Sequence, residues 1–275
     1  MRIVHNILGL FIAFSLMIIL LFTSVEAIVY WMPGYFRYEY SKYDVTNDVS
    51  MNMDDLLDVS NQMMSYLHGD KENLSDITST IDGQKNVSFF NEREIAHMVD
   101  VRNLFVGAIF LRRVLIGFIL FSLIFMKCTG AKLRRTISKT MFIGSILFFA
   151  LIAVLATVIS TNFTRYFILF HHIFFRNDLW QLDPSTDRLI NIVPEPFFMD
   201  TARNIGILYA VLVGLTFVLA WTVNRSNRKA NKNIPHLLYF ALTPHCSYIS
   251  LKETPLVPCF RVRFNFKRRR KILTK

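Results

Sequence analysis

Four apolar tracts, each long enough to cross a lipid bilayer, restrict this chain more than any other feature of it. An α-helix rises about 1.5 Å per residue, so roughly 20 residues span a 30 Å hydrocarbon core. Ile7–Val25, Thr140–Thr164 and Asn204–Asn224 carry no charged side chain, and Leu104–Met126 is interrupted only by Arg112 and Arg113. With 53% of its 275 residues hydrophobic, the chain has too little polar surface to cover a soluble core. The expectation is an all-α integral membrane fold with four transmembrane helices, at about 7–29, 104–126, 140–162 and 204–223. A cleaved signal peptide is the competing reading of the first tract. That tract is longer than the usual apolar core of such a peptide, however, and it passes into Tyr30-Trp31, an interfacial aromatic pair.

Charge orients the spans. Lys and Arg in short loops stay on the cytoplasmic side, and acids hardly matter to the rule. Lys127, Lys132, Arg134, Arg135 and Lys139 stand without an acid between the second and third tracts, and Arg225, Arg228, Lys229 and Lys232 follow the fourth. Tyr30–Asn103 and Asp178–Asp200 are acidic by contrast. The chain thus reads as a multi-pass cell-membrane protein with both termini cytoplasmic and two structured extracytoplasmic segments. Residues 1–232 are expected to form the membrane domain, and 233–275 a basic, poorly ordered cytoplasmic tail. The net charge of +11 is then topology plus tail and does not point to nucleic acid. Cys128, Cys246 and Cys259 all fall on the cytoplasmic side, so no disulfide framework and no external thiol nucleophile are expected.

Within the first outer segment, Leu56, Val59, Met63 and Leu67 recur at helical spacing behind Asp54 and Asp55, and Gly69 follows. That predicts an amphipathic helix over Asp54–Leu67, either flat on the lipid or packed on the span ends. A second helix is expected to begin at Asn91 and run into the second span. Pro184, Pro194 and Pro196 are expected to break helix in the second outer segment.

Two polar patches are dense enough to suggest chemistry. In Phe89–Val101, helical spacing sets His97 beside Arg93, Glu94 and Asp100, and a carboxylate next to an imidazole favours a general base. An ordinary amphipathic surface helix fits the same residues. In Phe170–Asp187, His171 and His172 stand among aromatics, where desolvation favours the neutral imidazole. They could equally be structural or bind a metal, but adjacent histidines on a helix diverge by about 100° and no zinc-type spacing accompanies them, so no metal and no cofactor are expected. Arg112 and Arg113 must snorkel, pair or line a wet cavity; the sharper option is that one of them meets a headgroup or a developing oxyanion.

The stretches FNEREIAHMVDVRNLF (Phe90–Phe105) and FHHIFFRNDLWQLDPSTDRLINIVPEPFFMD (Phe170–Asp200) resemble the bacterial lipoprotein intramolecular transacylases, four-span membrane enzymes of Gram-positive bacteria. The resemblance runs from the first span to about Lys232. It implies a catalytic histidine pair, His97 and His171, with the doubled His171-His172 leaving the second open to either. It also implies the reaction: the sn-2 acyl chain of a diacylglyceryl-modified lipoprotein cysteine moves to that cysteine's α-amine, giving the lyso form. The expected partners are diacylated lipoproteins and membrane lipid. On this reading His97 serves as base with Asp100 orienting it, and His171 stabilises the oxyanion or protonates the leaving oxygen, an order that could be reversed. Arg93, Asn177, Asp178 and Arg113 are the supporting polar groups. Two other classes stay open: a membrane enzyme acting on free phospholipid, for which Ser160, Thr161 and Ser185 are the nearby hydroxyls, and a non-enzymatic membrane subunit.

Overall fold

The computed structural model describes residues 1–242, with side chains through 229. The expected tail beyond 242, with Cys246 and Cys259, lies outside the described residues. Two compact units divide the chain at Asn231. The first holds four helices long and apolar enough to cross a membrane. These are α1 (Arg2–Glu26, extended by a π-helical turn Ala27–Trp31), α5 (Glu92–Cys128), α6 (Leu133–Thr161) and the part of α9 (Glu195–Leu242) up to Asn231. Their direction alternates in chain order. Trp31, Asn91, Thr161 and Glu195 therefore lie at one end of the bundle, and Met1, Cys128, Leu133 and Lys229 at the other.

Helix association in lipid cannot draw on hydrophobic burial, because the tails are as apolar as leucine; close backbone approach and van der Waals contact replace it. The α1–α6 seam shows this. A Cβ placed on Gly144 would lie 2.9 Å from Ala13 Cβ, and one on Gly9 would lie 2.9 Å from Thr140 Oγ1. At the remote end His5 Nε2 meets Thr129 Oγ1 at 2.9 Å. We expect Gly144→Leu to part the two helices and cost about 2 kcal/mol, read as a fall of several degrees in the unfolding midpoint in detergent. An unchanged midpoint would contradict this packing.

Residues 35–90 fold into a cap on the first end. It comprises α2 (Tyr35–Lys42), α3 (Val45–Asp48), α4 (Met53–His68), and a hairpin of β1 (Thr78–Ile81) and β2 (Gln84–Ser88). Helix α4 matches the predicted amphipathic helix: Asn52 caps it by accepting from Asp55 N at 2.8 Å, and Gly69 ends it in the left-handed region. Its apolar stripe faces protein. Leu56, Val59, Met63 and Leu67 are buried with Tyr40, Leu74, Ile77 and Phe89 in one core. The hairpin has no counterpart in the sequence expectation. Its turn is Asp82-Gly83, both at positive φ, a two-residue connection whose twist suits antiparallel strands.

The cap is fastened to α9 by a buried carboxylate. Asp200 takes Lys42, the Tyr43 hydroxyl at 2.7 Å and Arg203 at 2.9 Å, while the Tyr35 hydroxyl bonds Thr201 Oγ1 at 2.7 Å. Of the three prolines expected to break helix, Pro184 and Pro194 stand outside it. Pro196 instead sits in the first turn of α9, where its missing N–H would have had no partner anyway.

Candidate active site

Helix α5 has 37 residues, about 55 Å of helix, far more than a bilayer needs. Its first turns project beyond the apolar tract and under the cap. They begin at a capping box: Asn91 Oδ1 accepts from Glu94 N at 2.9 Å, and Glu94 Oε2 accepts from Asn91 N at 2.7 Å. His97 follows one turn later.

His171 arrives on α7 (Phe163–Phe174), an amphipathic helix that starts when Asn162 caps Arg165 N at 3.0 Å. The segment after it is latched onto the start of α5 through side-chain hydrogen bonds, most of them to backbone. Arg93 donates to the carbonyls of Asp178 (2.7 Å) and Gln181 (3.1 Å). Asn91 Nδ2 donates to Asp187 Oδ1 at 2.7 Å, and Leu189 N donates to Glu94 Oε1 at 2.5 Å. Arg188, opening α8 (Arg188–Ile192), donates to the carbonyls of Ser88 and Phe89, both at 3.1 Å. Burial pushes the Glu94 carboxyl above its ordinary range, against the pull of its two backbone N–H donors.

These latches bring the two histidines together. The rings of His97 and His171 lie 6.3 Å apart, and Phe175 stands edge-on to His97 at 5.3 Å. His97 and His171 are 7% and 8% exposed, whereas His172 is exposed. That distinguishes the doubled histidines: His171 is the one that faces His97.

Each ring has a defined electrostatic state. Burial lowers the His97 pKa to about 4, helped by the neighbouring His171 and opposed by Asp100. Burial also lowers His171, against the backbone carbonyl of Phe167. His171 Nδ1 stands 2.7 Å from that carbonyl, which can only accept, so Nδ1 carries the proton and Nε2 keeps a lone pair. His97 Nδ1 is buried with no hydrogen-bond partner among the described residues. A proton on its Nε2 would leave only an acceptor orphaned, the milder defect. Both histidines are therefore neutral near pH 7, one presenting an acceptor and the other a donor.

The supporting residues divide differently from the expectation. Asp100 makes no hydrogen bond to His97; it accepts from Asn177 Nδ2 at 2.8 Å, one turn along α5, and acts on the imidazole only through its field. Arg93 is spent on loop carbonyls, and Asp178 contributes its carbonyl while its side chain is exposed. Arg113 is exposed and unpaired among the described residues. Its neighbour Arg112 forms an ion pair with Glu26 on α1, at the wall of a cavity of about 760 Å³ that also touches Tyr30 and His68. Neither this cavity nor one of about 440 Å³ beside Arg102 is lined by the histidine pair. Among the described residues no three His, Cys, Asp or Glu side chains gather as a metal site. Trp180, whose ring lies 4.8 Å from His171, is not among the expected site residues; its place inside the second polar patch suits the headgroup zone and was the available signal.

The family profile for lipoprotein intramolecular transacylase Lit matches residues 10–198. No curated protein sequence is a significant match. Among solved structures, the membrane-integral lipoprotein intramolecular transacylase Lit from Bacillus cereus is similar at a TM-score of 0.62 and 22% identity, over 83% of this chain and 100% of that one. Structures of the B. cereus protein with a histidine replaced by arginine or by alanine each give a TM-score of 0.64 at 22% identity, over 82% of this chain and 95% or 96% of theirs. At such identity the likeness establishes a shared fold, and the profile, spanning more than two thirds of the chain, establishes descent. The chain belongs to the Lit family of membrane-integral lipoprotein intramolecular transacylases.

Proposed function

We propose that this transacylase moves the sn-2 acyl chain of a diacylglyceryl-modified lipoprotein cysteine to the α-amine of the same cysteine. The observation that carries the reading is the pair of neutral imidazoles, His97 and His171, held 6.3 Å apart by latches between two distant segments. Donor ester and acceptor amine are already joined in the substrate, so proximity replaces much of what a covalent intermediate would supply. What remains is proton transfer and oxyanion stabilisation.

The free amine attacks the ester carbonyl carbon, and the C–N bond forms. His171 Nε2 takes the proton lost by nitrogen while the His97 N–H bonds the oxyanion. Collapse breaks the bond to glycerol oxygen, and the His171 imidazolium returns its proton there. Atoms, charge and oxidation state balance within one substrate. This order reverses the expectation from sequence, because the Phe167 carbonyl fixes the tautomer of His171 and burial makes His97 the weaker base.

The bases Lys127, Lys132, Arg134 and Arg135 stand at the bundle end remote from the histidines, which supports cytoplasmic termini and an extracytoplasmic site. Residues 1–232 would then be the enzyme domain and 233–275 the tail. A phospholipid-dependent enzyme with a hydroxyl nucleophile gains no support. Ser160 and Thr161 donate to the carbonyls of Thr157 and Val158, and Ser185 to Asp183 Oδ1. Mass spectrometry of one lipoprotein N-terminus from cells with and without this chain tests the reading. The N-acylated lyso species is expected only with it, and acyl label from free phospholipid appearing on that amine would overturn the proposal.

A further inference from the structure

Two nitrogens near His171 are buried without a hydrogen-bond partner among the described residues: His97 Nδ1 and Trp180 Nε1. An indole nitrogen can only donate. A buried donor without an acceptor is a cost that folded proteins seldom carry, and each such orphan calls for an explanation, a catalytic role among them. The Trp180 ring is also held firmly. It lies against His171 at 4.8 Å with the planes 30° apart, and edge-on to His172 at 5.1 Å. Its own carbonyl accepts from Leu182 N at 3.0 Å, and Arg93 grips the carbonyls on either side of it, at Asp178 and Gln181. The surroundings are rich in phenylalanine: Phe170 and Phe175 both flank His171 at 5.5 Å between ring centres. A phenylalanine at 180 would keep an aromatic ring in this apolar wall and leave no donor unsatisfied.

We propose that the Trp180 indole N–H is a catalytic hydrogen-bond donor to the acyl carbonyl oxygen, sharing with His97 the charge that develops there in the tetrahedral intermediate. This rests on the acyl-transfer reading above. In that reaction the substrate offers one atom that gains a full negative charge, the carbonyl oxygen. A donor fixed before the reaction begins helps that atom most, because nothing has to reorganise as the charge appears. The attacking nitrogen needs its lone pair free and its proton removed, so a donor there would oppose the step. The glycerol oxygen receives its proton from His171. The carbonyl oxygen is the remaining acceptor, and an imidazole with an indole supplies two neutral donors to it. Neutral donors stabilise the intermediate without requiring a buried cation in the resting enzyme.

The test uses the full-length enzyme in detergent micelles with a diacylated lipopeptide, following the N-acyl product by mass spectrometry. Two replacements are compared: Trp180→Phe, and benzothienylalanine incorporated at position 180, which keeps the bicyclic shape and exchanges N–H for sulfur. Loss of one oxyanion donor is expected to lower kcat about 100-fold or more in both, with KM changed less than about threefold. A benzothienylalanine enzyme within about threefold of wild-type kcat overturns the proposal, and so does a loss confined to KM. A loss in the Phe variant alone assigns Trp180 to packing and also overturns it. An inactive wild-type enzyme would overturn the acyl-transfer reading and this one with it; an active wild type beside an undiminished isostere overturns the indole role alone.

Discussion

His171→Ala is expected to lower kcat by about 1,000-fold, within the range that a positioned general base contributes, while the protein remains folded. The ring packs among aromatics at the edge of the cap, outside its main core, so its loss should spare stability more than activity. His97→Ala is expected to cost about 100-fold or more, as an oxyanion donor would. The pH profile separates the two roles. Deprotonation of the substrate's own α-amine, ordinarily near pH 7.7–8.0, sets one acid limb that every variant keeps. Burial holds His171 below the ordinary imidazole range, so a further acid limb of kcat from its protonation should lie below about pH 6.5. His97→Ala should keep that lower limb, whereas the residual rate of His171→Ala should lose it. If the limb vanished with His97 instead, the base assignment would be reversed. Full activity in either variant would refute the pair.

His97 also links pH to stability. Its pKa is about 4 in the folded protein, against about 6.5 for a free imidazole. Below pH 6.5 the unfolded chain binds a proton that the folded one refuses. The stability is therefore complete above pH 6.5 and declines as pH falls toward 4. His97→Gln should make the unfolding midpoint less sensitive to pH over that window, leaving the part that buried His171 contributes.

Glu94→Ala is expected to be the most destabilising single change in the latch. The carboxylate is 1% exposed and accepts two backbone N–H bonds, from Asn91 and from Leu189, 95 residues away. Alanine would orphan both donors and leave a void, costing about 3–4 kcal/mol. The Leu189 anchor fastens the segment that carries Trp180, so activity should fall along with the unfolding midpoint. Glutamine can accept one of the two bonds but must turn an N–H₂ toward the other donor, and should lose about half as much. A midpoint for Glu94→Ala within two degrees of wild type in detergent would show that the segment is held elsewhere.

The spans were legible because a bilayer imposes one length and one polarity on any helix that crosses it. The start of α5 at Asn91 and the stripe of α4 were legible because their determinants lie within one or two turns of sequence. The hairpin was equally local, its Asp82-Gly83 turn standing in plain view, yet its short strands alternate too weakly to announce a sheet. The pairing of Asp100 with Asn177 and of Arg112 with Glu26 had no such local determinant. Helical spacing pointed Asp100 at His97, and a competing amide from 77 residues away took its carboxylate instead.

By itself, then, the sequence determined four membrane-crossing helices, the start of the second at Asn91, and two polar segments rich in histidine. Tertiary structure alone decided that His171 rather than His172 meets His97, and which nitrogen of His171 holds its proton. The physical reason is that spans and caps follow from contacts along the chain, whereas the site follows from latches between residues some 90 positions apart, whose partners are chosen only when the bundle closes.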